Sequence, residues 1–147
     1  MKILVLNGPN LNMLGIREPQ HYGKTTYSDL ENKIIAHCKD KCDIEIKQSN
    51  HEGALVDYIQ AAYFEGVDGI VINPGAYTHT SIALLDAVKA VSIPTVEIHI
   101  SDVNSREDFR KISYIRAACI DTVSGLGVDG YLYAIDKLIR YIQEENK

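Results

Sequence analysis

Five short runs rich in β-branched and aliphatic residues alternate with segments of helical period, and this alternation restricts the possible folds more than any other feature of the chain. The runs are Lys2 to Asn7, Asp43 to Gln48, Gly69 to Asn73, Pro94 to Ile100 and Cys119 to Val123. Between the first two, Ser28-Asp29-Leu30-Glu31 reads as a capping box that opens a helix with Leu30, Ile34, Ile35 and Cys38 on one face. A second helix begins near His51, carries Leu55, Val56, Ile59, Ala62 and Tyr63, and stops at Gly66. Ile82, Leu85, Ala87 and Val88 mark a third. The last spans Asp129 to Glu144, with Leu132, Ile135, Leu138, Ile139 and Ile142 inward and Asp129 as N-cap after Gly125-Leu126-Gly127.

Strands separated by helices pair in parallel, and right-handed crossovers place helices on both faces of the sheet. The expected architecture is an α/β, flavodoxin-like three-layer sandwich with a five-stranded parallel sheet in the order 2-1-3-4-5. A chain of 147 residues and formal net charge -5 fits one domain over residues 1–147, with no general attraction to nucleic acid or anionic lipid. No apolar run approaches membrane-spanning length and no signal sequence precedes the first strand, so a cytoplasmic protein is expected. Cys38, Cys42 and Cys119 have no metal-ligand spacing and read as reduced packing residues.

Sheets of this order bind ligands beyond the carboxyl ends of the strands, where strand order reverses beside strands one and three. Three polar clusters fall there. The first strand runs into Asn7-Gly8-Pro9-Asn10-Leu11-Asn12 and then a stretch holding Arg17 and Tyr22, a connection of about twenty residues that calls for a functional explanation. The third strand ends in Asn73-Pro74-Gly75-Ala76-Tyr77-Thr78-His79-Thr80-Ser81, and the fourth carries Glu97, His99 and Ser101. A phenol near Arg17, with help from Arg106, can be partly ionised and could then take a proton, the alternative for Tyr22 being a loop aromatic that closes over the core. Lowering a tyrosine from about 10 to near 7 takes roughly 4 kcal/mol. Strand alternation sets Glu97 beside His99, where the carboxylate can orient the ring and hold it protonated as a general acid. His79 sits where a helix opens, among amides that attract an anionic group.

These segments resemble the type II 3-dehydroquinate dehydratases. The matching motifs are NGPNLNMLGIREPQHYG, INPGAYTHTSIALLDA and VEIHISDVNSREDFRKISYI, with a looser match at GLGVDGYLYAI. The resemblance implies dehydration of 3-dehydroquinate to 3-dehydroshikimate through an enolate, in the shikimate pathway of aromatic amino-acid biosynthesis. It implies Tyr22 as the base that removes a proton alpha to the ketone, Arg17 as the group lowering its pKa, His99 as the general acid and Asn10 as the holder of a water near the enolate. Asn73, His79, Asp86, Ile100, Ser101 and Arg110 resemble the substrate contacts. No cofactor and no metal are implied. Trimers assembled into a homododecamer are, with Asp86 reaching a neighbour's active site. The sequence departs from the family pattern mainly at Arg116-Ala117-Ala118-Cys119-Ile120-Asp121-Thr122, which is more polar than expected and bears on subunit contacts more than on chemistry.

Four other chemistries find little support. The loop after strand one lacks a hydroxyl-rich cradle for a flavin phosphate and the acidic pair of a phospho-accepting receiver. Ser101 is not on a G-x-S-x-G elbow, which argues against a serine hydrolase. A Lys Schiff base has only Lys24 and Lys111 near the motifs.

Overall fold

The computed structural model describes residues 1–16 and 18–147, and of Tyr22 the backbone alone. Its strands are β1 (Lys2–Asn7), β2 (Asp43–Gln48), β3 (Gly69–Asn73), β4 (Thr95–His99) and β5 (Asp121–Ser124). They form one sheet in the order β2-β1-β3-β4-β5, every adjacent pair parallel, as the alternation of elements requires. The helices are α1 (Pro19–Tyr22), α2 (Tyr27–Cys38), α3 (Glu52–Phe64), α4 (Ile82–Val91) and α5 (Asp129–Glu145).

Strand alternation divides the interior into two cores. Ile3, Val5, Val71, Val96, Ile98 and Val123 pack against α2 and α5, through Leu30, Ile34, Tyr131, Ile135 and Leu138 among others. Leu4, Leu6, Ile70 and Ile72 point the other way, onto Leu55 and Ile59 of α3 and Leu84 and Val88 of α4. Both faces of the sheet are therefore covered, and its central strands read as continuous apolar runs for that reason.

Several details differ from the sequence expectation. The capping box of α2 lies two residues earlier: Thr26 accepts from the Asp29 N–H and Asp29 from the Thr26 N–H, each at 3.1 Å. In α4 the buried stripe runs through Leu84, Ala87, Val88 and Val91, while Ile82 is 56% exposed. That helix is apolar nearly all round, so periodicity does not select the stripe. Val128, not Asp129, caps α5, and Asp129 instead pairs with Lys33 of α2 at 2.5 Å. β5 begins later than Cys119 because the Cys119 N–H turns back to the Arg116 carbonyl and closes a 3-10 turn. The cysteines are free, and burial pushes the thiols of Cys38 and Cys119 up to about 12, which leaves them unreactive.

The loops after β1 and β3 are drawn together by glycine. The Gly8 N–H donates to the Asn73 carbonyl at 2.7 Å, and a Cβ on Gly8 would stand 2.5 Å from the Pro74 carbonyl oxygen. That neighbour is backbone and cannot rotate aside. Gly8→Ala is expected to destabilise the fold by about 1–3 kcal/mol, the usual range for overpacking. Urea unfolding measures it, and a midpoint equal to wild type would mean that the two loops separate without loss.

Candidate active site

One polar cavity of about 180 Å³ opens at the carboxyl edge of the sheet. It is lined by Pro9, Asn10 and Leu11 after β1, by Asn73, Gly75, Ala76 and His79 at the end of β3, and by His99, Ile100, Ser101, Val103, Arg106 and Arg110 at and after β4. This is the reversal point of strand order. Two arginines, two histidines and no carboxylate are among the described lining residues, a balance that suits a small anionic ligand with hydroxyl groups.

Alternation along β4 turns Val96 and Ile98 to the α5 layer and therefore Glu97 and His99 to the opposite face. His99 Nε2 meets Glu97 Oε2 at 2.5 Å. The Glu97 side chain has no exposed surface, and it collects further donors: Thr78 Oγ1 at 2.7 Å, Ser113 Oγ at 2.9 Å, Arg116 Nε at 3.3 Å and Thr122 Oγ1 at 3.4 Å. Burial opposes ionisation of Glu97, but the bond and charge of His99, the Thr78 hydroxyl and the Arg116 guanidinium outweigh it and hold the carboxyl at about 2. An ionised carboxylate only accepts, so the His99 nitrogen facing it carries the hydrogen, and Nδ1 remains for the cavity.

His79 is fixed in the same way. Its Nδ1 lies 2.6 Å from the Ile112 carbonyl and must be the protonated nitrogen, which leaves Nε2 as the ring's other polar atom. Burial pushes its pKa below the ordinary histidine value, so the ring is neutral near pH 7 and Nε2 is an acceptor. His79 itself lies in a 3-10 turn, Gly75–His79, and Ser81 caps α4 by accepting from the Leu84 N–H at 3.0 Å. Arg106 reaches Ser101 Oγ at 3.4 Å and Glu18 Oε2 at 3.7 Å. The second contact brings the start of α1, the segment that carries Tyr22, beside the cavity.

Of the residues expected from sequence, Asn10, Asn73, His79, His99, Ile100, Ser101 and Arg110 come together in the cavity. Asp86 does not, being exposed on α4. Arg17 and the Tyr22 side chain lie outside the described residues. The Tyr22 backbone ends the four-residue helix α1, within the connection that follows β1. The polar stretch Arg116 to Thr122, which runs into β5, has a use that sequence reasoning missed: Arg116 and Thr122 both bond Glu97. The register offered a signal, because Thr122 is the Cα partner of Glu97 across β4 and β5. Thr78 and Ser113, from loops remote in sequence, offered none. Tyr131, near the start of α5, holds two buried asparagines.

Comparison with known proteins gives a consistent result. Residues 1–139 match the family model described as Dehydroquinase class II. A 3-dehydroquinate dehydratase from Fusobacterium nucleatum is 55% identical over 144 residues, covering 96% of this chain and 98% of that protein. The crystal structure of a type II dehydroquinase from Butyrivibrio crossotus superposes with a TM-score of 0.93 at 57% identity, over 94% of this chain and 97% of that one. A second, from Propionibacterium acnes, gives 0.90 at 41% identity, over 95% and 96% of the two chains.

The Glu97 cluster predicts a pH dependence of stability. A carboxyl held below its unfolded value adds stability that is present above about pH 4.5 and is lost as pH falls toward about 2. Glu97→Gln should therefore unfold at lower denaturant at neutral pH and show a flatter stability profile between about pH 5 and 2. Parallel profiles for variant and wild type would show that the carboxylate is not ionised in the folded protein.

Proposed function

The chain belongs to the class II dehydroquinase family, and from that premise we propose that it dehydrates 3-dehydroquinate to 3-dehydroshikimate as a carbon-oxygen hydro-lyase. The observation that carries the reading is the buried Glu97–His99 pair at 2.5 Å, opening on a cavity lined by Asn10, Asn73, His79, Ser101 and Arg110.

In this reading the Tyr22 phenolate removes a proton alpha to the substrate ketone, and the electron pair moves onto the ketone oxygen as an enolate. Asn10 holds a water there, which donates to the developing negative charge. The enolate then collapses, the carbon-oxygen bond breaks, and His99 gives a proton to the departing hydroxyl so that water leaves. The imidazolium that donates is paired with Glu97, so the ring keeps its orientation in both protonation states. Asn73, neutral His79, the Ile100-Ser101 pair and Arg110 fit a ligand with a carboxylate and several hydroxyls, Arg110 or backbone amides taking the anion and the others the hydroxyls. Arg17 keeps Tyr22 ionised, and Arg106, bonded to Ser101 and Glu18, adds positive charge to the same side. No metal or organic cofactor has a step in this scheme.

We read residues 1–147 as one catalytic domain of a cytoplasmic enzyme that serves the shikimate pathway and aromatic amino-acid biosynthesis. Among the described helices none is long and apolar enough to cross a membrane. The active form is a homododecamer, a tetramer of trimers. The exposure of Asp86, and of Ile82 one turn before it, supports a role for that face of α4 toward a second copy and its substrate.

Addition of 3-dehydroquinate to the purified protein should produce rising enone ultraviolet absorbance, and its absence would remove the assignment. Tyr22→Phe should fold and bind yet lose roughly 10²–10⁴-fold in turnover, the usual effect of deleting a general base. Retention of more than about a tenth of wild-type turnover would place the base elsewhere.

Arg17→Ala tests how the phenol is kept ionised. The acidic limb of kcat/KM reports the base of the free enzyme, so loss of the guanidinium should move that limb upward as the phenol returns toward about 10. Activity lost at neutral pH should partly return in alkaline buffer. Lower activity with an unmoved limb would assign Arg17 to substrate binding or loop ordering.

A further inference from the structure

Asn7 and Asn73 end the two central strands, and the β1–β3 register sets their Cα atoms opposite each other. Both side chains turn to the α5 layer, following Val5 and Val71 two residues earlier. Between them, with no exposed surface, stands the phenol of Tyr131 in the first turn of α5. Asn73 Nδ2 donates to Tyr131 Oη at 2.8 Å, and Tyr131 Oη donates to Asn7 Oδ1 at 2.7 Å.

The directions of these bonds are dictated. The Gly75 N–H can only donate, so the Asn73 atom facing it at 3.1 Å is Oδ1, and the amide NH₂ must be the group that meets Tyr131. Tyr131 then accepts from Asn73 and gives its single hydrogen to Asn7, which turns its own NH₂ to Tyr27 Oη at 3.4 Å. Four bonds run one way from Gly75 to Tyr27. Burial pushes the Tyr131 phenol above the ordinary tyrosine range, so it stays protonated and the chain keeps its polarity.

This arrangement is expensive for a purely structural element. A Phe at position 131 with an apolar residue at position 7 would fill the same layer with no buried polar group to satisfy. Asn73, however, lines the cavity, whereas neither Asn7 nor Tyr131 does. We propose that Tyr131 is a positioning residue for substrate recognition: it holds the Asn73 amide so that its second N–H is presented to a substrate hydroxyl, and Asn7 serves to take the phenol's hydrogen. The proposal rests on the dehydratase reading of the cavity.

The test is a double-variant cycle on the full chain with 3-dehydroquinate, comparing wild type, Tyr131→Phe, Asn73→Ala and both together. A group that binds substrate and transition state alike acts on KM, so Tyr131→Phe should raise KM about tenfold with kcat changed less than about threefold. In the Asn73→Ala background the same change should alter kcat/KM by less than about twofold, because the amide through which Tyr131 acts is gone. Losses that multiply in the double variant would overturn the proposal and leave Tyr131 a packing residue. Proton NMR of the wild-type protein needs neither turnover nor a folded variant. A slowly exchanging Tyr131 hydroxyl proton with a nuclear Overhauser effect to the Asn73 side-chain amide is expected, and its absence would overturn the proposal as well. A wild-type protein without turnover that shows this signal would refute the dehydratase reading and leave the amide orientation standing.

Discussion

An ionised carboxylate with no exposed surface has to be surrounded by donors before a fold can close over it, and Glu97 is such a group. Its neighbours come from four places: the turn after β3 through Thr78, β4 itself through His99, the loop after β4 through Ser113 and Arg116, and β5 through Thr122. Each alone would leave lone pairs unfilled. Together they fix where three loops sit at one edge of the sheet, and the cavity is the space that those loops enclose. His99 therefore inherits its position from a charge that must be neutralised, and the requirement for stability coincides with the proposed mechanism's requirement for a placed acid.

The site uses both faces of the sheet at that edge. On the α4 side lies the charged cluster around Glu97; on the α5 side lies the neutral chain of Asn73, Tyr131 and Asn7. The period of two along a strand makes this possible, since Glu97 and Ile98 point to opposite layers. Keeping the two networks apart also keeps their electrostatics apart: one holds a negative charge below the imidazole, while the other orients an amide without any charge at all. Gly8 and Gly75 let the loops approach closely enough for both to reach one cavity. Gly75 has φ +59, and a Cβ there would stand 3.0 Å from the Pro9 carbonyl oxygen.

Much of this was legible in the sequence. The five apolar runs and their helical spacers dictate a parallel sheet, five strands suggest the flavodoxin-like order, and the ligand edge follows from that order. Glu97 and His99 could be paired from their i, i+2 spacing alone. Less legible were contacts made across sequence distance. Ser113 reaches Glu97 from a loop without regular period, and Tyr131 looks apolar in a helical stripe because a phenol differs from a phenyl ring only at its tip. The stripe of α4 was misassigned for a related reason: where nearly every position is apolar, periodicity carries no information, and packing against α3 and the sheet decides which face turns inward. The polar run from Arg116 into β5 could not be interpreted until register set Thr122 opposite Glu97.

The division of labour between rigid and adaptable parts follows from the same physics. A general acid and the hydroxyl-binding groups must be held close to one geometry, and strand ends locked by buried hydrogen bonds do this well. A base that works on a carbon acid must meet its proton only after the substrate has entered, so it is better carried on a connection than on a strand. The segment from Glu18 to Tyr22 meets that condition: it is one short helical turn, begun by Pro19 and joined to the cavity wall by the contact of Glu18 with Arg106. Arg106 is nearly buried and also reaches Ser101, so its charge stays in place whether or not Glu18 is engaged. In the proposed mechanism, a guanidinium held in this way adds to the wall of the cavity the positive charge that a Tyr22 phenolate requires.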